Sequence, residues 1–171
     1  MPQDDLIARL ARQIDSAKMS EHFALDADYV GALRRRGACE LHSICAEFVA
    51  SVNSRLSRAA LELAPSAYTQ EMFRDPGVNL IRIGSQGREM HITCAATPQL
   101  VSTAKFLTPY VLEGEVRAYN QKMLERFEIQ SRALFFCLEE DKAIWRFFDW
   151  RTRRTGPLAS ELLVDLMGHL F

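Results

Sequence analysis

The sequence predicts an α+β domain in which N-terminal helices, one of them long, pack on an antiparallel β-meander of about six strands closed by a C-terminal helix. Three observations lead there. Between Cys39 and Leu63 the apolar residues Leu41, Ile44, Cys45, Phe48, Val49, Val52, Leu56, Ala59, Ala60 and Leu63 recur with helical periodicity until Pro65 interrupts them. Beyond Pro65 the texture shifts to β-branched and aromatic residues punctuated by Asp75-Pro76-Gly77, by Gly84-Ser85-Gln86-Gly87 and by the polar stretch Glu139 to Lys142. Turns that short join antiparallel neighbours more readily than parallel ones, which need long crossovers. With 171 residues, eight glycines and six prolines, the length suits one compact unit. A split at Pro65 would leave a helical part and a sheet that each lack a partner for their apolar face, so residues 1–171 read as a single domain.

Taken in order, Leu6, Ile7, Leu10, Ile14 and Ala17 follow Asp4 and Asp5 at helical spacing, and the two acids suit a helix start. Asp26 can cap a short second helix carrying Tyr29, Val30 and Leu33, with Gly37 as a left-handed terminator behind Arg34-Arg35-Arg36. The long helix then runs from about 39 to 63. Strands are expected at 67–74, 78–83, 88–95, 108–120, 123–138 and 143–152, with 96–107 as a loop over the sheet or a short helical turn around Leu100 to Lys105. Thr155-Gly156-Pro157 opens a closing helix with proline at an early position, and Leu158, Leu162, Val164, Leu166 and Leu170 supply its apolar surface.

Charge and composition exclude several classes. Twenty-one basic against 22 acidic side chains and 48% hydrophobic residues rule out collagen-like and strongly charged disordered chains. The net charge is −3 over residues 1–30 and +3 over 31–60, and no long region is basic enough to hold a phosphate backbone by charge alone, which disfavours nucleic acid. Arginines and aromatics do interleave from Arg146 to Arg154, as in single-strand binders, yet acids interrupt them. Met90 to Ala104, the longest uncharged run, has 15 residues, too few and too polar to span a bilayer. Acids near the N-terminus oppose a signal peptide, and Cys39, Cys45, Cys94 and Cys137 form no close C-x-x-C pair, so a reducing cytoplasm is the expected home.

The last hairpin carries the most information. A sheet with one wet face alternates apolar and polar residues. Leu134-Phe135-Phe136-Cys137-Leu138 is apolar throughout, and in the return strand Ile144, Phe148 and Trp150 fall on one face while Trp145 and Phe147 fall on the other. One face can receive the helices; the other needs a lid, a ligand or another subunit, because a contiguous aromatic patch in water is costly. Phe136, Trp145, Phe147 and Phe148 are therefore the expected interface residues. Asp149, Arg146, Tyr119 and Trp150 are the expected ligand-binding residues, with Asp149 pairing Arg132, Arg146 or Arg151 as its structural alternative.

Other chemistry-bearing residues read as structural. Cys39, His42 and Cys45 have metal-ligand types, but Cys39 and Cys45 point about 120° apart on a helix. His91 and Cys94, three apart in a strand, face opposite sides. His22 and His169 have no partner in the sequence. Glu113 and Glu115 share a strand face, which suits an acid and base pair or, with Arg117 beside them, ordinary cross-strand ion pairing. Gly84 to Gly87 lacks a P-loop lysine and is a turn. No metal, cofactor or catalytic residue is expected. The reading that follows is a non-catalytic, homodimeric interaction module using the aromatic sheet face. Its alternative is an enzyme or binding protein holding a small apolar or amphipathic ligand in a cavity between the long helix and the sheet.

Overall fold

The computed structural model describes residues 2–22 and 26–171. Helix α1 (Pro2–His22) is followed by α2 (Ala27–Asn53), β1 (Glu62–Ala64), a 3-10 turn (Gln70–Met72), β2 (Asn79–Ser85), β3 (Arg88–Ala96) and β4 (Tyr110–Tyr119). Then come the short α3 (Gln121–Glu125), β5 (Gln130–Glu139), β6 (Lys142–Phe148), β7 (Thr155–Pro157) and α4 (Ser160–Gly168). Among the described residues, seven strands form one antiparallel sheet in sequence order, β1 to β7. The α+β class and the meander match the sequence pattern, with seven strands rather than six. The two edge strands are only three residues long.

The helical half differs from expectation in one instructive respect. Residues 27–53 form a single helix, capped by the Asp26 carboxylate, which accepts from the Tyr29 amide at 2.7 Å. Gly37 lies inside this helix, not at its end. A Cβ built on it would sit 2.6 Å from the Phe136 ring and 3.0 Å from Leu112, so the glycine is there to let helix and sheet approach. Trp145 closes the same contact by donating its Nε1–H to the Gly37 carbonyl at 2.7 Å. The helix stops at Asn53, ten residues short of Leu63. Asn53 ends it by folding the following chain back: its side-chain oxygen accepts from the Ala60 and Leu61 amides, and its amide nitrogen donates to the Leu61 carbonyl.

Four further boundaries move. The expected strand at 67–74 is replaced by the 3-10 turn and irregular chain, while β1 forms earlier, at 62–64. Residues 121–125 are helical, with Asn120 capping them by accepting from the Met123 amide. Thr155 to Pro157 is an edge strand paired with β6, and the closing helix begins at Ser160. The β2–β3 turn at Gln86-Gly87 has positive φ at both residues, the backbone that two-residue hairpins need.

One face of the sheet receives α2 and α4. Ile83, Met90, Ile92, Leu112, Val116, Leu134 and Phe136 meet Val30, Leu41, Phe48, Leu163 and Leu166, all almost completely buried. The other face carries a separate, smaller cluster of Phe106, Tyr110, Phe135 and Cys137.

Candidate functional site: the second face of the sheet

Strand alternation divides the aromatic residues between the two faces. On β5, Leu134, Phe136 and Leu138 join the helix-covered core, whereas Ala133, Phe135 and Cys137 belong to the second face. Pairing of Phe136 with Trp145 and of Ala133 with Phe148 splits β6 in the same way. Trp145 and Phe136 are consequently core residues under α2, and Phe147 packs on that core beside Gly156. Of the four expected interface residues, only Phe148 is on the second face.

The chain between β3 and β4 roofs part of that face. Phe106 stacks on Phe135 with centroids 4.7 Å apart and meets Phe148 edge-on, and Tyr110 packs against Phe135 at 4.7 Å. The Tyr110 hydroxyl accepts from the Lys105 amide at 3.1 Å. A buried arginine holds the roof in place. Arg34 of α2 donates to the carbonyls of Val111 (3.0 Å), Thr97 (3.1 Å) and Gln99 (2.9 Å), and its guanidinium lies 3.3 Å from Asp75. An arginine buried among carbonyls satisfies its own donors and four other groups at once, which offsets its desolvation.

The rest of the face is open. A groove of about 340 Å³ runs over β3, β4 and β5, with Thr93, Gly114, Glu115, Ala133 and Phe135 in its floor and Val78, Lys105 and Trp150 around it. Trp150 is 63% exposed and rests edge-on against Phe148 at 4.6 Å. Gly114 lets β3 and β4 come together: a Cβ there would lie 1.8 Å from the Thr93 carbonyl oxygen. Glu113 and Glu115 do share this face, and each has its own cation, Lys105 at 3.1 Å and Arg117 at 3.7 Å. Toward the far end the face turns polar. Tyr119 lies with its hydroxyl 3.4 Å from His91 Nε2, which is 3.5 Å from Glu89, itself paired with Arg82.

The expected ligand-binding residues do not converge. Arg146 and Trp150 fall on the aromatic side of the second face, with Arg146 bonded to Glu139. Tyr119 is at the polar end. Asp149 lies beyond β6 on the helix side, lining a cavity of about 370 Å³ with Arg132, Phe147, Arg154 and Leu162. Its carboxylate is occupied: Thr152 and the Arg151 amide donate to it at 2.9 Å, and Arg132 lies at 3.3 Å. Burial, the largest single influence, pushes its pKa up; the bonds from Thr152 and Arg151 together with the Arg132 charge outweigh burial and hold it below the ordinary carboxylate range. At Gly37 α2 is in direct contact with Phe136 and Trp145 of the sheet.

The cysteine and histidine residues are dispersed. Burial pushes the Cys45, Cys94 and Cys137 thiols up to about 12. His42 donates through Nε2 to the Pro65 carbonyl at 2.7 Å and stacks on Tyr68. His169 lies beside the Asp165 carbonyl, and the side chain of His22 is outside the described residues. Among the described residues no group of three or more His, Cys, Asp or Glu side chains is arranged to hold a metal, and no helix is long and apolar enough to cross a membrane.

Sequence reasoning missed Arg34, Phe106 and Tyr110. A run of three arginines resembles a solvated turn, and a lone phenylalanine in an irregular stretch has no periodicity to assign it a side. Comparison with family models, with curated proteins and with solved structures gives no significant match to this chain.

Proposed function

We propose that this protein is a non-catalytic interaction module of a reducing, cytoplasmic compartment, and that it self-associates through the open part of the second sheet face. The observation that carries the reading is Trp150. A tryptophan 63% exposed at the rim of a groove, opposite Val78 at 61%, is the arrangement that interfaces use as an anchor once a partner desolvates it. The aromatic block beneath it, Phe148, Phe135 and Phe106, is rigidly stacked and would lose little freedom on binding. Twofold self-association is the commonest way a soluble chain covers such a face. Three thiols held near 12 and two glutamates already paired with cations suit binding better than nucleophilic or acid–base chemistry, and four unpaired cysteines suit a reducing compartment.

Light scattering over a concentration series tests this. The wild-type protein is expected to move from monomer to dimer, and Trp150→Glu to remain monomeric with an unchanged melting temperature, since the ring is outside the core. A wild-type chain that stays monomeric at high concentration defeats the reading.

A second reading draws on the gradient along the same face, aromatic at one end and lined by His91, Tyr119 and Arg117 at the other. The groove of about 340 Å³ itself sets Lys105, Glu113 and Glu115 beside Phe135 and Trp150, a mixture that suits a small amphipathic ligand. A thermal-shift screen of amphipathic carboxylates and amines that gives no stabilisation removes it.

A further inference from the structure

Two arginine side chains of this chain are largely buried, Arg34 and Arg132, and their donors are used differently. The Arg34 guanidinium meets acceptors through Nε, Nη1 and Nη2. Arg132 does not. It alternates on β5 with Leu134 and Phe136, so it belongs to the helix-covered face, and only 14% of its side chain is exposed. Its Nη1 donates to the Ser131 carbonyl at 2.8 Å and its Nε lies 3.3 Å from the Asp149 carboxylate, while Nη2, with two N–H groups, has no acceptor among the described residues. A largely buried guanidinium with unspent donors carries a desolvation cost unless something in the adjoining space accepts from it.

That space is the cavity of about 370 Å³ that Arg132 and Asp149 line with residues of α4. Its wall carries a second guanidinium, Arg154, and on α4 two carboxylates about one helical turn apart, Glu161 and Asp165. Among the described residues neither Arg154 nor Glu161 forms an ion pair, and Asp165 has only His169, at 3.9 Å. Phe147 and Leu162 add apolar wall between these charges. The cavity thus offers hydrogen-bond donors, carboxylates and apolar surface to one occupant.

We propose that this cavity binds a small zwitterion of the amino-acid class: Arg132 Nη2 and Arg154 receive its carboxylate, Glu161 and Asp165 its ammonium, and Phe147 and Leu162 its apolar side chain. The site lies on the helix side of the sheet and does not depend on the self-association reading. Asp149 is a positioning residue. Held by Thr152 and the Arg151 amide, its carboxylate fixes the Nε edge of Arg132 and leaves Nη2 for the ligand. A simple anion would meet three carboxylates in this wall and a simple cation two guanidiniums, whereas a molecule carrying both charges finds a partner for each. Ligand pockets run from about 300 to 1,000 Å³, and a volume near the lower bound suits a single amino acid better than a peptide.

The test is calorimetric titration of the full chain with L-leucine and L-phenylalanine, and with isocaproate and isoamylamine, which are leucine without its amine and without its carboxylate. Both amino acids are expected to bind, and each half-molecule about tenfold or more weakly, as the loss of a hydrogen bond to a charged group implies. Glu161→Gln and Asp165→Asn should weaken leucine without weakening isocaproate; Arg132→Gln and Arg154→Gln should weaken leucine without weakening isoamylamine. Arg154, Glu161 and Asp165 are exposed, so their variants read the site even where Arg132→Gln does not fold. Trp150→Glu, which alters the groove on the second face, is expected to leave leucine binding intact. Isocaproate binding as tightly as leucine makes the site one for anions only, isoamylamine binding as tightly makes it one for cations only, and either result overturns the proposal. So does the absence of any heat of binding at millimolar amino acid, which leaves Arg132 Nη2 to water alone. Leucine binding that survives all three exposed wall variants lies elsewhere on the chain and overturns it too.

Discussion

Gly37 and Phe136 occupy space that cannot also hold a methyl group. A Cβ on Gly37 would lie 2.6 Å from two carbons of the Phe136 ring, and the carbonyl of the same glycine accepts from Trp145. The helix is thus fixed against the sheet by a contact on each side of one residue.

Gly37→Ala is therefore expected to destabilise the protein, although helix propensity alone predicts a gain of about 1 kcal/mol for alanine in a helix interior. Overpacking in a filled core costs about 1–3 kcal/mol, and here the ring is held by neighbours on both strands. Urea unfolding of Gly37→Ala should show a lower midpoint, with Phe136→Leu restoring part of the loss in the double variant. A more stable Gly37→Ala would mean that helix and sheet separate easily.

Arg34 ties α2 to the roof of the second face. Arg34→Met removes the donor to the Thr97 carbonyl and one of the donors to those of Gln99 and Val111, which Thr97 still serves, and a buried group left unsatisfied costs about 1–3 kcal/mol. Amide exchange should localise the effect. The Ser102 and Tyr110 amides, which donate to each other's carbonyls at 2.9 Å, are expected to lose protection before those of β5 and β6. Uniform loss across the sheet would show that Arg34 supports global stability and not the roof in particular.

The Asp149 carboxylate predicts a pH dependence with a definite sign. Its folded pKa is lower than its unfolded one, so its ionised form stabilises the fold at every pH above the unfolded value, about 3.9, and that contribution disappears as pH falls through the lower folded value. Asp149→Asn keeps a single acceptor oxygen, so it can retain only one of the bonds from Thr152 and Arg151, and it cannot neutralise Arg132. Denaturation at pH 7 should show the variant less stable, and the difference from wild type should shrink steadily below pH 4. A gap that is constant from pH 7 to pH 3 would mean that the charge does not matter.

Thiol reactivity follows from burial. With pKa values near 12, Cys45, Cys94 and Cys137 are thiolate in only about one molecule in ten thousand at pH 8. Cys39 is partly exposed, and its pKa is raised by partial burial and then by Glu71 and Glu40. An aromatic disulfide reagent should modify Cys39 alone, and slowly, in the native protein, and all four cysteines in urea. Rapid native labelling of a second cysteine would show that part of the core opens readily.

Much of the fold was legible because its signals are redundant. The stripe from Leu41 to Val52 is too regular to be anything but a helix, and Gln86-Gly87 between alternating strands marks a hairpin. The alternation in β5 and β6 also revealed that rings face both ways. The errors arose where one residue type serves two purposes. Gly37 reads equally as a helix terminator and as a point of close approach, and only the partner ring decides between them. Pro157 suits a helix start and an edge strand alike. Arg34 looks like its neighbours Arg35 and Arg36, yet it alone is buried, because the carbonyls that receive it come from residues 63 to 77 positions away. At the candidate site the sequence indicated Trp150 and Phe148, but it could not show that Phe106 would cover part of the face and leave the groove beside it open.

The three-residue strands that end the sheet have a consequence for how this molecule can aggregate. Each outermost rung offers too little unpaired backbone to template a further strand, and Pro157 withholds one donor from β7. Growth into ribbons by lateral strand addition is therefore disfavoured at both margins of the sheet.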